Sequence, residues 1–272
     1  MQRVAIVLVS LVFAGAVMPP LEAGQLTIAH CLQGCPTGTS SANEILVRHL
    51  YAVSINPGTR LADWVSYRIL PGSIGVASLL PRDWQSDDLA RNGIRVEQLR
   101  GEGDQLVQQA SGDQQDSVYR ITEFSVAAGD QGRLVPMTSF AGTSYWSDLN
   151  LLSIMSLMKS DLRLESWSRL DQAVNSLVRS DGELFVVAGP IYQSAGTGQP
   201  GTVGAVPDAY FKVVANASGQ LAAFIFDQDL PAHASHCDQL TGLDAVESAS
   251  GLDLFPTADA WPTGSLASRL GC

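Results

Sequence analysis

The sequence predicts an α+β fold in which helices flank a central antiparallel sheet. Two observations carry this prediction: segments with strand composition lie early and late in the chain, and one segment with helical periodicity lies between them. Because strands and helix are segregated and do not alternate, an antiparallel sheet is favoured. Apolar residues make up 46% of the 272 residues and charged residues 16%, so a large buried core is expected.

The first predicted element is a β-hairpin near the amino end. Residues 49–54 and 64–70 combine β-branched and aromatic side chains in rough alternation, which is typical of strands. The Asn-Pro-Gly sequence at 56–58 is a turn signal between them. Residues 101–117 are rich in Gly, Gln, Asp and Ser and are expected to form a surface loop.

One long helix is predicted over residues 160–179. Ser160 and Asp161 are typical of a helix start. The apolar side chains that follow recur at helical spacing and fall mainly on one side. They are Leu162, Trp167, Leu170, Val174, Leu177 and Val178.

Three more strands are predicted after this helix. Residues 183–188 form a short apolar run that is typical of a central strand and ends before a Gly-Pro pair. Residues 210–216 and 221–226 also have strand composition, and the Gly-rich residues 193–205 predict a loop. No break in composition divides the chain, so residues 24–272 are expected to form a single domain.

The amino-terminal segment, residues 1–23, has the pattern of a secretory signal peptide. Arg3 precedes an apolar run over residues 4–18 and then a Pro-Pro breaker. That run is shorter than the roughly 20 residues of a membrane-spanning helix, although retention as an anchor is the competing interpretation. No other segment of the sequence is long and apolar enough to span a bilayer. The expected location is therefore secreted or periplasmic.

The charge and the cysteines restrict the partners and the chemistry. The net charge of −11 opposes non-specific attraction to nucleic acid, although it leaves the distribution of charge open. An even number of cysteines in an exported chain predicts two disulfides, and three pairings are compatible with the sequence. The four residues are Cys31, Cys35, Cys237 and Cys272.

Several segments, in the same order along the chain, resemble one known family. They include CLQGCPTGTSS at 31–41, RDW at 82–84, DQGRLVP at 130–136, LRLESW at 162–167 and GPIY at 189–192. The family is that of the secreted DNA/RNA non-specific endonucleases, and the similarity runs over roughly residues 29–272. The resemblance implies the ββα-metal nuclease fold, with one long helix after the signature. It also implies the disulfides Cys31–Cys35 and Cys237–Cys272.

The general base of the family is missing from the signature. The family pattern Asp-Arg-Gly-His-x-x-Pro begins here at Asp130, but Gln131 replaces its arginine and Arg133 replaces the histidine that activates water. A guanidinium stays protonated near neutral pH and only donates hydrogen bonds, so Arg133 cannot take that role. None of the four histidines is an obvious substitute: His30, His49, His233 and His236.

The magnesium ligand of the family is also missing. The family pattern Leu-Asn-x-x-x-Trp has Arg163 in place of the asparagine, and Ile154 replaces a second asparagine upstream. An arginine offers no lone pair to Mg²⁺ and repels it by charge. No cofactor is therefore expected, and Mg²⁺ would be needed only if the chain were an active nuclease.

The remaining positions form a vestigial site. Arg82 and Asn150 are retained, and Asp171 stands where the family has glutamate. In one interpretation Arg133 and Arg163 pair with Asp130 and Asp171 in a structural network. In another, Arg82, Arg133 and Arg163 form a metal-free site for phosphate or another anion. A rearranged catalytic site is the third interpretation.

These substitutions predict a catalytically inactive pseudo-nuclease that is retained for binding. Its partner could be a protein, the envelope or nucleic acid; the acidic charge and the apolar strip at 154–158 favour a protein, unless that strip is core packing. The alternative is an active Mg²⁺-dependent, sugar-non-specific DNA/RNA endonuclease, a phosphodiester hydrolase with a displaced base. A nucleic-acid binder without cleavage is the third hypothesis.

Overall fold

A computed structural model of the chain describes residues 27–96, 131–192, 205–258 and 262–272. Four sequence expectations fall outside these ranges, wholly or almost wholly. They are the signal peptide at 1–23, the surface loop at 101–117, the signature residue Asp130 and the Gly-rich loop at 193–205, of which only the last residue is described.

A large, mostly antiparallel sheet forms the centre of the molecule. Its strands lie in the order β1-β2-β3-β6-β7-β8-β10, with β9 paired to β8 beside this path. Neighbouring strands are antiparallel, except that β10 runs parallel to β8. The bounds are β1 Glu44–Val47, β2 Ala52–Ile55, β3 Ala62–Ile69, β6 Leu184–Ile191, β7 Ala209–Ala215, β8 Gln220–Asp227, β9 Leu240–Thr241 and β10 Gly264–Ser265.

The predicted amino-terminal hairpin is confirmed as β2 and β3. Val53 lies opposite Val65 in an antiparallel register. The turn closes through Asn56, whose side-chain oxygen accepts a hydrogen bond from the Gly58 amide at 2.8 Å. His49 was expected within the first strand, but it lies in the connection between β1 and β2. β1 itself was not predicted, because four residues give too short a pattern.

A second, two-stranded sheet and the long helix form a ββα unit. β4 (Gln131–Arg133) pairs antiparallel with β5 (Met155–Leu157). The helix then begins with α1 (Ser160–Leu162), continues through a π-helical turn at Arg163–Trp167, and ends with α2 (Ser168–Asp181). The predicted helix is thus present, with an irregular turn near its start. A third helix, α3 (Leu243–Ser250), was not predicted.

The large sheet is covered on both faces, so its strands are apolar almost throughout. Consecutive side chains of β7 point to opposite faces of the sheet. Val214 belongs to the core shared with α2, and Val213 belongs to the core shared with α3. This explains why β6 and β7 are buried along their whole length. Within the described ranges, no helix has the length and apolar character needed to cross a membrane.

β6 extends beyond the Gly-Pro pair that was expected to end it. Pairing with β3 stops at Ala188, so Pro190 has a strand neighbour only on the β7 side, opposite Tyr210. Proline lacks an N–H and is tolerated where one edge of a strand needs no ladder bond. Gly189 is required by close packing, since a Cβ there would lie 2.4 Å from the Asp63 carbonyl oxygen.

Both disulfides implied by the family resemblance are present. Cys31 is bonded to Cys35, and Cys237 is bonded to Cys272. The first closes a short loop that packs beside α3. The second holds the carboxyl-terminal residue against the 3₁₀ turn at His236–Gln239.

Candidate functional site

The ββα unit places two of the substituted positions next to each other. Arg133 ends β4 and lies opposite Met155. Arg163 opens the π-helical turn, and its Cδ lies 3.4 Å from the Cβ position that a side chain at Gly132 would occupy. A Cβ atom at this position would also lie 2.8 Å from the Cβ of Met158, so glycine allows the helix to approach the β4–β5 sheet closely.

Arg133 is held rigidly by its neighbours. Its Nε donates to the Leu149 carbonyl at 2.9 Å, and Nη2 donates to the Asn150 side-chain oxygen at 2.7 Å and the Arg82 carbonyl at 2.8 Å. The guanidinium carbon also lies 4.1 Å from the centre of the Trp84 ring, in a cation–π contact. All three acceptors require Arg133 to donate, as a protonated guanidinium does.

Asn150 links the loop that carries Arg82 to Arg133 of β4. It is buried, and its amide nitrogen donates to the Pro81 carbonyl at 3.0 Å while its oxygen receives the Arg133 hydrogen bond. Its backbone carbonyl accepts from the Gln85 amide at 2.8 Å. The retained asparagine therefore positions two of the arginines with respect to each other.

The three arginines form a concentrated positive charge. Burial, followed by the charges of Arg82 and Arg163, lowers the pKa of Arg133 to about 10, against a small opposing effect of Asp83. A group with this pKa is still protonated at neutral pH, so Arg133 cannot act there as a base. Arg82 is exposed and Arg133 and Arg163 are half-buried, while the Nε and Nη2 atoms of Arg163 are shielded from solvent.

The described residues around Arg163 do not fit a magnesium ion. Mg²⁺ binds oxygen ligands in near-octahedral geometry. The ligand position holds a guanidinium, two more guanidinium groups lie within electrostatic range, and Ile154 is completely buried. An ion here would meet positive charge where it needs oxygen lone pairs.

The apolar strip at 154–158 is mainly core and not a binding surface. Ile154, Met155 and Met158 are completely buried, and only Leu157 keeps partial exposure. Ile154 and Met158 belong to the main core between the large sheet and the long helix. The strip was expected to favour a protein partner if exposed, and the structure supports the core interpretation.

Asp171 does not pair with the arginines as the network interpretation expected. Its carboxylate accepts a hydrogen bond from Lys212 of β7, whose ammonium group also lies 3.7 Å from the centre of the Trp167 ring. Burial raises the pKa of Asp171, although the Lys212 charge opposes this, and burial lowers the pKa of Lys212. The sequence signal for this pair was a lysine within an otherwise apolar strand, and it was missed.

Three of the four histidines have hydrogen-bond partners among the described residues, and none of these partners is Arg133. His30 hydrogen-bonds to the Arg48 carbonyl, and His236 to the Leu270 carbonyl. His49 forms a 3.0 Å contact from Nδ1 to the Asp148 carboxylate. His236 also lies near Cys237 and Cys272, but the disulfide occupies both sulfur atoms and leaves no thiolate for a metal.

Comparisons with known proteins agree with this architecture. The family model for DNA/RNA non-specific endonuclease matches residues 32–260. The nuclease of Serratia marcescens is 32% identical over 253 residues, covering 90% of this chain and 87% of that protein. A crystal structure of the EndoG/EndoGI complex, which concerns EndoG inhibition, includes a chain that matches with a TM-score of 0.61 and 16% identity. That match covers 86% of this chain and 93% of the other, and at this identity it supports the fold alone. The chain therefore belongs to the DNA/RNA non-specific endonuclease family.

Proposed function

We propose that this chain is an exported pseudo-nuclease that binds phosphodiester groups without hydrolysing them. The observation that carries the proposal is the fixed, protonated Arg133 at the position of the base, with Arg82 and Arg163 close enough to lower its pKa. Export is supported by the signal-like segment at 1–23 and by two formed disulfides.

The loss of hydrolysis follows from what the reaction requires. A base must make water nucleophilic, and a divalent metal must stabilise the developing charge. Arg133 removes the first and Arg163 removes the second. A positioned general base commonly contributes a factor of about 10² to 10⁴ in rate. The contributions of groups that act together are not additive. Two cations at these two positions therefore favour loss of the reaction over a weakened one.

The retention of phosphate binding follows from the same substitutions. Guanidinium groups bind phosphate oxygens through paired, charge-assisted hydrogen bonds. Burial is the main reason that the pKa of Arg133 is lowered, and the charges of Arg82 and Arg163 lower it further. An anion among the three groups would relieve this repulsion. The net charge of −11 opposes non-specific attraction of nucleic acid, but a local cluster of cations still gives a positive potential at its own surface. The burial of the 154–158 strip removes one of the two sequence arguments for a protein partner, and the acidic net charge is the other.

A cleavage assay tests the first half of the proposal. Purified chain is incubated with plasmid and Mg²⁺ beside an Arg133→His, Arg163→Asn double variant, which restores the two family residues. We expect no cleavage by the parent. Metal-dependent cleavage by the parent would defeat the proposal and favour an active endonuclease with a displaced base.

A binding assay tests the second half. Fluorescence anisotropy of a labelled oligonucleotide is measured in EDTA over a series of salt concentrations. Arg133→Gln and Arg163→Gln should each weaken binding about ten- to a hundredfold, because a hydrogen bond to a charged group contributes about 1.5–3 kcal/mol. Arg179→Gln, at the exposed end of α2, is the matched control for loss of one charge. Equal weakening of oligonucleotide binding by all three variants would show that binding depends on total charge alone, and would contradict a specific site at the arginine cluster.

A further inference from the structure

An exposed pair of stacked rings lies beside the arginine cluster. The rings of His49 and Tyr145 are nearly parallel, with 4.0 Å between their centres and 6° between their planes. The side chain of His49 is 59% exposed and Tyr145 is 49% exposed, so the pair is not part of the core. The 3.0 Å contact from His49 Nδ1 to Asp148 fixes the orientation of the imidazole.

The same short element holds the ring pair and Arg133. Tyr145 directly precedes the 3₁₀ helix Trp146–Asn150, and Asp148 lies within it. The last two residues of that helix, Leu149 and Asn150, accept the hydrogen bonds of Arg133. At a rise of about 2 Å per residue, Tyr145 and Asn150 are separated by about 10 Å along the element. This separation is comparable with about three nucleotides of a strand, at about 3.4 Å each.

We infer that His49 and Tyr145 form a stacking platform for an unpaired nucleobase of a single strand whose phosphates contact the arginine cluster. This inference rests on the proposed function and names its ligand more closely. Aromatic faces bind bases of any sequence by stacking, and positively charged groups nearby hold the backbone. Bases within a duplex already stack on each other, so the platform serves a single strand better than a duplex.

The arrangement of the rings favours a base over a side chain of another protein. The arginine cluster supplies positive charge about three nucleotides away, which an apolar partner would not use. The His49–Asp148 contact and the ring stack immobilise the platform before binding, so little conformational entropy is lost on contact. A protein partner is therefore the alternative outcome of the test below.

The test compares an eight-residue oligothymidylate with an abasic strand of the same length and charge, by anisotropy in EDTA. The parent should bind the thymidylate about tenfold more tightly than the abasic strand. Tyr145→Ala should abolish this preference and leave abasic binding unchanged, whereas Tyr145→Phe should retain it. A duplex of the same length should compete less well than the single strand. Because Tyr145 is exposed, the variants are expected to fold, and thermal unfolding provides the check.

The outcomes separate this inference from the proposed function. Equal binding of both strands by the parent would overturn the platform and leave phosphodiester binding intact. Equal weakening of both strands by Tyr145→Ala would mean that the stack only supports the 3₁₀ helix, which also overturns it. Failure of the parent to bind either strand would defeat the proposed function and the platform together.

Discussion

Substituting Lys212 by methionine should destabilise the fold strongly. Lys212 has no exposed surface, and its ammonium group contacts only the Asp171 carboxylate and the Trp167 ring among the described interactions. The methionine side chain has similar volume but carries no charge. It therefore leaves the Asp171 carboxylate buried, at 8% exposure, without the cation that compensates it.

The magnitude follows from the cost of an uncompensated buried charge. Breaking a buried ion pair by removing one partner costs about 3–5 kcal/mol. In a domain of this size, 1 kcal/mol lowers the melting temperature by about 2–4 °C, so a decrease of about 10 °C is expected. The double variant Lys212→Met, Asp171→Leu removes both charges. It should be close to the parent, since apolar replacement of a whole buried pair is often neutral.

The effect should depend on pH in a defined direction. Burial already raises the pKa of Asp171, and the variant loses the Lys212 charge that opposes this rise. A carboxyl whose pKa is raised by folding contributes no penalty below its unfolded pKa of about 3.9, and its penalty grows as pH increases through the folded pKa. The single variant should therefore be much less stable than the parent at pH 7.5 and closer to it at pH 4.

Thermal unfolding followed by circular dichroism at the two pH values measures both effects. A single variant that melts with the parent at pH 7.5 would refute the role of the pair. A deficit of the same size at both pH values would refute the electrostatic reasoning. A double variant as unstable as the single one would attribute the loss to packing of the lysine stem instead.

Three further predictions concern stability at other points of the fold. Asn150→Leu should cost about 1–3 kcal/mol in urea unfolding, because the buried partners of that amide, including Arg133, lose their hydrogen bonds; an unchanged midpoint would contradict this. Replacing Cys237 and Cys272 by serine should cost about 3–4 kcal/mol from the 35-residue separation that the bond closes, and reduction of the parent, which also opens Cys31–Cys35, should cost at least as much. Gly189→Ala should lower the melting temperature, since overpacking costs about 1–3 kcal/mol and the new methyl group would lie 2.4 Å from a backbone oxygen.

The hairpin and the helix could be predicted from the sequence because local physical rules produce both. The period of two in β3, the turn at 56–58 and the period of the apolar face in the long helix depend on neighbouring residues only. The strands β1, β9 and β10 are too short for such a pattern to appear. The extension of β6 through Pro190 depends on where its neighbour β3 ends. The residues near Pro190 in the sequence do not give that position.

The residue types of the candidate site could also be read from the sequence. The sequence predicts that Arg133 and Arg163 occupy the positions of the family's base and metal ligand, and a guanidinium performs neither role near neutral pH. This prediction does not depend on the tertiary structure, since it follows from the chemistry of the side chain. Which groups those arginines contact did not follow, because Arg82, Asn150 and Trp84 approach Arg133 from separate parts of the chain.

The sequence by itself indicated the family and the order of the main elements, and it predicts the loss of the base and of the metal ligand. Only the tertiary structure decided that Asp171 pairs with Lys212, that the strip at 154–158 is mainly core, and that His49 stacks on Tyr145 beside the arginine cluster. The physical reason is the distance along the chain over which each property is determined. Periodicity and side-chain chemistry are properties of a residue and its neighbours, whereas burial and ion pairing depend on which distant segments the fold brings together.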